Sequence, residues 1–192
     1  MKHFDEIPNL DILTEVPSTT TFLGEYKMQY FQDKIAHSLN DLAKKRQAIV
    51  RNNNEEKIVL TSGCFDILHG GHLEYLCDAN KYGFLIVGVN SDAFVRRLKG
   101  SSRPLRGQED RLFTIAGFEP VELAVIFNDD VELIRTVQPD IYVASNTSHI
   151  RIWDDTYRLQ TLQNMGTAII ELTAHKEEST TNIIARAQSA FA

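Results

Sequence analysis

The stretch Ile58-Val59-Leu60-Thr61-Ser62-Gly63-Cys64-Phe65-Asp66-Ile67-Leu68-His69-Gly70-Gly71-His72 decides the fold. It opens on a short apolar, β-branched run, the pattern of a buried strand. A glycine-containing loop follows, and helical signals begin after Gly71 and continue to about Lys81. Strand, loop and helix start are thus packed into about twenty residues, as at the first turn of a parallel α/β unit.

The same rhythm repeats toward the C-terminus. Phe84 to Val89, Leu123 to Phe127, Ile141 to Ala144 and Thr167 to Leu172 read as four more strands. Between and after them, Gln108 to Gly117, Val131 to Val137 (stopped by Pro139), Trp153 to Met165 (ended by Gly166) and Thr181 to Ala190 read as helices. Strands this apolar are buried on both faces, which requires helices on both sides of a parallel sheet. The expected architecture is a doubly wound α/β domain with a five-stranded parallel sheet. Ligands in such sheets bind beyond the carboxyl ends of the strands, at the switch point of the strand order. The informative loops are those after Thr61, Val89, Phe127, Ala144 and Leu172.

Toward the N-terminus the chain changes character. Arg51-Asn52-Asn53-Asn54 reads as a linker. Before it, Phe31, Ile35, Leu39 and Leu42 recur at helical steps within Tyr26 to Val50, and residues 1 to about 24 are irregular. The expected division is an extension over 1–53 with one amphipathic helix, and the α/β domain over 54–192. The helix's apolar stripe is expected to pack on the domain or on a second copy of it.

Composition narrows the function classes. The 192 residues carry a net charge of −6, which argues against a large nucleic-acid footprint. No apolar run approaches the roughly 20 residues that span a bilayer, and the first residues do not read as a secretory signal. A cytoplasmic protein with no nucleic-acid or membrane partner is expected. The two cysteines, Cys64 and Cys77, have the spacing of neither a disulfide framework nor a zinc site, and are expected as buried free thiols.

The chemistry concentrates in the loop after the first strand. His69 and His72 are three apart, separated by glycines, at a helix start. Both imidazoles then lie on one side of a turn near the positive end of the helix dipole, where a phosphate is stabilised. No third His or Cys completes a zinc site at a recognisable spacing.

The string GCFDILHGGH, Gly63 to His72, resembles the signature of the cytidylyltransferase-like nucleotidyltransferases, whose fold is Rossmann-like. Within that family the chain is most similar to the adenylyltransferase domain of ADP-heptose synthases, and next to glycerol-3-phosphate cytidylyltransferase. The resemblance runs from about Lys57 to about Ala187. It implies that His69 and His72 contact a triphosphate, with Gly63, Cys64 and Phe65 against the nucleotide. Asp66 matches a family aspartate and is assigned to the acceptor substrate. Arg96-Arg97-Leu98-Lys99-Gly100-Ser101-Ser102-Arg103-Pro104 resembles a basic string of the heptose enzymes. It is expected as a mobile loop that brings Lys99 to the phosphates, with Arg103 behind it toward the acceptor. Arg111, in a helix start similar to the family's, is expected to hold a phosphate with its fork. Ser179, Thr180 and Thr181 resemble the family's hydroxyl-bearing string, which contacts the β- and γ-phosphates and also suits a helix cap.

The resemblance further implies a nucleotidyl transfer from a nucleoside triphosphate to a small phosphorylated substrate such as heptose 1-phosphate. Magnesium is implied as the triphosphate's companion, with no dedicated protein site, and a homodimer as the assembly. The loop Ala144-Ser145-Asn146-Thr147-Ser148 departs from both subgroups, and Lys176-Glu177-Glu178 stands where relatives have a small residue. ATP is favoured over CTP, with Asn146 near the base. A cytidylyltransferase acting on a polyol or headgroup phosphate, and a non-catalytic nucleotide-binding regulator, remain alternatives.

Overall fold

The computed structural model describes residues 31–52, 56–146, 148, 151–173 and 180–190. In chain order its elements are β1 (Ile35–Ala36), α1 (Leu39–Asn52), β2 (Ile58–Gly63), α2 (Gly70–Asn80), β3 (Phe84–Asn90), α3 (Asp92–Lys99), α4 (Gln108–Ala116), β4 (Leu123–Phe127), α5 (Asp130–Val137), β5 (Ile141–Ser145), α6 (Thr156–Asn164), β6 (Ala168–Leu172) and α7 (Thr180–Ala190). A single 3-10 turn, Ile152–Asp154, precedes α6.

The strands form one parallel sheet in the order β1-β4-β3-β2-β5-β6. From β2 the chain winds outward through β3 and β4, then crosses back to β5 and β6 on the other side. The switch point therefore lies between β2 and β5. Alternation along each strand sends side chains to two cores. On one face Val59, Val87, Val89 and Val143 pack with Leu76 of α2 and with Leu112 and Ile115 of α4. On the other, Leu60, Ile86, Val125 and Tyr142 pack with Leu42 of α1, Leu133 and Ile134 of α5 and Leu162 of α6. Each such aliphatic side chain, taken fully out of water, contributes about 1.5–3 kcal/mol.

The sheet has six strands, not five. The extra one is Ile35–Ala36, inside the run read as a continuous helix. Ile35 pairs with Ala124 and Ala36 with Val125 at the sheet edge, and both are buried. A two-residue strand leaves no alternation to read, whereas its apolar neighbours happen to fall at helical steps. The segment's apolar stripe does pack on the domain, through Ile35, Ala36 and Leu42.

Two local readings also change. Asp92–Lys99 is a helix rather than the start of a mobile loop. Ser91 caps it by accepting from the Phe94 N–H at 3.1 Å, and Gly100 ends it at φ 91°, a left-handed geometry that suits glycine. Cys77 is exposed and Cys64 half-buried; both are free thiols. Leu76 and Ala79 take the core side of α2, which leaves Cys77 outside. No described helix is long and apolar enough to cross a membrane.

Candidate functional site

At the carboxyl end of β2 the chain turns through Cys64, Phe65 and Asp66 into α2. Phe65 adopts a left-handed φ of 48°, strained for a bulky residue by about 1–3 kcal/mol. Such geometry persists only where its surroundings over-determine it, and here both neighbours of Phe65 are held. The Cys64 carbonyl accepts from Arg111. The Asp66 carboxylate, 2% exposed, accepts from Arg103 Nε at 2.7 Å and from the N–H groups of Leu105 and Arg106 at 2.9 and 3.0 Å. Burial acts to raise the Asp66 carboxyl pKa, but those backbone N–H groups and the Arg103 guanidinium outweigh it and hold the pKa below its ordinary value.

Arg111 is fully buried. It donates to the carbonyls of Arg106 at 3.0 Å, Cys64 at 2.5 Å and Asn90 at 2.7 Å, and pairs with the Asp92 carboxylate at 2.8 Å. Four of a guanidinium's five N–H donors are thereby engaged. The expected phosphate fork is instead an internal clamp joining the β2 loop, the end of β3, the start of α3 and the approach to α4. Asp66 and Arg103 likewise face each other rather than an open acceptor site. The physical reason is common to all three. A charge sealed from water is stable only when paired and fully hydrogen-bonded, so each partner consumes the other's capacity.

The histidines are placed differently. His69 is the N-cap residue of α2; its side chain gives no cap, while its carbonyl accepts from the His72 N–H at 2.9 Å. The His69 and His72 rings lie 4.0 Å apart at 45°, and the Phe65 ring is 5.6 Å from His72. Burial, then the proximity of His69 and of Lys99, depresses the His72 pKa to about 4. His72 is therefore neutral near pH 7. The charge of Lys99, the last residue of α3, also acts on His72, so His69, His72 and Lys99 form one cluster. A neutral imidazole beside a cation and N–H donors is a site prepared for an anion: added negative charge offsets the repulsion that, after burial, lowers the His72 pKa.

The remaining expected residues have other local tasks. Gly63 underlies the Phe65 ring, which lies 3.1 Å from where a Cβ would stand. Thr180 Oγ1 donates to the Ile67 carbonyl at 3.0 Å, tying α7 to the histidine loop. Thr181 is exposed, and Ser179, Glu177 and Glu178 lie outside the described residues. The Asn146 N–H donates to the Leu172 carbonyl at 3.1 Å, beyond the ends of β5 and β6.

Several contributors were not anticipated from sequence: Asp92, the Leu105 and Arg106 N–H groups, Thr61 and Tyr75. Tyr75 alone left a signal. It lies three residues after His72 on the same helix, and so on the same face.

Residues 60–186 match the model of the cytidylyltransferase-like family. The chain belongs to that family. Among curated relatives it is 52% identical over 98 residues to the bifunctional protein HldE of Campylobacter curvus, covering 50% of this chain and 21% of that protein. To the HldE protein of Geobacter sulfurreducens it is 38% identical over 140 residues, covering 71% and 28%. The chain thus spans well under a third of the length of either relative. Among solved structures it resembles a lipopolysaccharide core biosynthesis protein from Thermoplasma volcanium, with a TM-score of 0.53, 27% identity, and coverage of 64% of this chain and 99% of that one.

Proposed function

We propose that this chain transfers an adenylyl group from ATP to a sugar phosphate, releasing pyrophosphate. The observation that carries the reading is the neutral His72, held beside His69 and Lys99 at the N-terminus of α2 and the carboxyl end of β2. An oxygen of the substrate phosphate attacks the α-phosphorus in line. The bond from that phosphorus to the bridging oxygen breaks, and pyrophosphate leaves with the electron pair. The nucleophile is already anionic, so the site's work is alignment and neutralisation of charge rather than proton abstraction. His69, His72, Lys99 and the helix N-terminus supply donors for the triphosphate. Among the described residues no group of three His, Cys, Asp or Glu could hold a metal ion. Magnesium, as the triphosphate's companion, would supply neutralisation of its charge.

Family membership supports nucleotidyl transfer, and the similarity to HldE proteins and to a lipopolysaccharide core biosynthesis protein supports a sugar phosphate acceptor. ATP over CTP rests on the resemblance of the Leu98-to-Pro104 string to the adenylyltransferase subgroup. A cytoplasmic homodimer completes the proposal. Pyrophosphate release with the four triphosphates, each against sugar phosphates and polyol phosphates, tests it. ATP with a sugar phosphate is the expected active pair. CTP with a polyol phosphate alone would move the chain to the other subgroup, and triphosphate binding without turnover would mark a regulator.

A further inference from the structure

Strands β2 and β5 pair at only two positions, Val59 with Ile141 and Leu60 with Tyr142. Beyond them β2 stays paired with β3 as far as Gly63, and β5 with β6 as far as Ser145. The sheet is therefore split between the carboxyl halves of β2 and β5, at the switch point and directly below the histidine loop. Backbone groups along such a split need other partners.

On the face covered by α2, one side chain reaches across the split and supplies a partner to one of them. The Tyr75 hydroxyl lies 2.6 Å from Thr61 Oγ1 of β2 and donates to the Val143 carbonyl of β5 at 3.0 Å. A phenol has one hydrogen, so with that hydrogen on Val143 the Thr61 hydroxyl is the donor to Tyr75. Burial pushes the Tyr75 hydroxyl pKa well above its ordinary value, so it stays a protonated donor. On the opposite face the Tyr142 hydroxyl is 3.1 Å from Ser62 Oγ, beside Asp130 and Arg158, which pair at 3.5 Å. That second tie joins β2 and β5 to α5 and α6, and it does not touch α2.

We infer that Tyr75 is a positioning residue: by bridging the split between β2 and β5 it fixes α2, and with it His69 and His72, relative to the strand that carries the far wall of the site. His72 lies three residues before Tyr75, one helical turn away, so a shift of the phenol moves the imidazole with it. The inference rests on the proposed nucleotidyl transfer for its kinetic consequence, but not for its structural one.

The test uses three variants of the full chain: Tyr75→Phe, Thr61→Val, and the two combined. Tyr75→Phe strands the Val143 carbonyl and the Thr61 hydroxyl. Thr61→Val leaves the Tyr75–Val143 bond in place. The double variant also removes the Thr61 hydroxyl that Tyr75→Phe strands, and so recovers part of the stability, the Val143 carbonyl still lacking the phenol. Expected are a kcat lowered about tenfold or more in Tyr75→Phe and in the double variant, with KM for the triphosphate within about threefold. Thr61→Val should keep kcat within about twofold. By NMR of the imidazole, the His72 pKa should move up from about 4 in both variants that lack the phenol. Recovery of kcat and of the His72 titration in the double variant, along with stability, would overturn the inference and leave a purely structural hydrogen bond. Should Tyr75→Phe not fold, the double variant alone decides. Should the parent chain show no transfer, the functional reading fails, while the His72 titration still decides the positioning role.

Discussion

His69 and Asp66 are three residues apart on one loop, yet the structure treats them oppositely. The Asp66 carboxylate is sealed and saturated by Arg103 and two backbone N–H groups. The His69 and His72 rings are only half-buried, and His72 is held neutral first by burial and then by the proximity of His69 and Lys99. The same division separates Arg111, which is fully buried, from Lys99, whose charge acts on His72 from the end of α3. Charge that is paired internally gives the loop its shape, including the strained Phe65. The half-buried imidazoles and the Lys99 charge beside them are what a polyanion can use. In this site, residues of similar chemical type divide into frame and contact according to burial and pairing.

The largest effect should come from breaking the frame. Arg111→Ala leaves three carbonyls without their donor in a space closed to water, and takes the nearer of two guanidinium partners from the part-exposed Asp92 carboxylate. Removing one member of a buried ionic network costs about 3–5 kcal/mol, so urea unfolding should show a loss of that order. Arg111→Lys should recover little, since an ammonium cannot reproduce the planar fork. A variant that keeps parental stability while losing only triphosphate affinity would return Arg111 to the ligand-binding role.

Breaking the contact set should spare the fold. His72→Ala is expected to lower kcat by about 10²-fold or more, because it removes a donor aimed at charge that develops in the transition state. His69→Ala should behave alike, and unfolding midpoints should stay near the parent's. A change below about threefold in both variants would show that the loop's frame, not its imidazoles, is what matters.

The smallest effect sharpens the electrostatics. His72 has a folded pKa of about 4, below the unfolded value near 6.5. Its contribution to stability is therefore complete above pH 6.5 and is lost as pH falls from 6.5 toward 4. Triphosphate binding acts in the reverse sense. Added anionic charge raises the His72 pKa, so binding takes up a proton and tightens as pH falls through the liganded pKa toward 4. Lys99→Ala should raise the free His72 pKa and weaken the triphosphate several-fold. Calorimetry in buffers of different ionisation enthalpy, from pH 5 to 8, measures the proton uptake. No uptake in the parent would mean that His72 does not sense the ligand.

Much of this molecule could be read from local pattern. Apolar β-branched runs at Ile58, Phe84, Leu123 and Ile141 mark strands because both of their faces are covered, whereas the run at Thr167 leads into the edge strand β6, which is only half-buried. The histidine loop is legible because glycine spacing and a helix start are local in sequence. The short strand at Ile35–Ala36 was hidden, since its structure is defined by β4, about ninety residues away. The helix over Asp92–Lys99 was hidden by its cationic last turn and the Gly-Ser-Ser-Arg-Pro run that follows it.

The sequence by itself determined the fold class, the family and the position of the histidine site, because each depends on short-range periodicity or on a contiguous string. Only the tertiary structure decided which charged residues face inward. Asp66 meets Arg103 across 37 residues, Arg111 meets Cys64 across 47, and Tyr75 reaches Val143 across 68. Whether a charge serves as frame or as contact depends on the partners that folding brings within hydrogen-bond reach and on the water it excludes, and neither is encoded in any one stretch of chain.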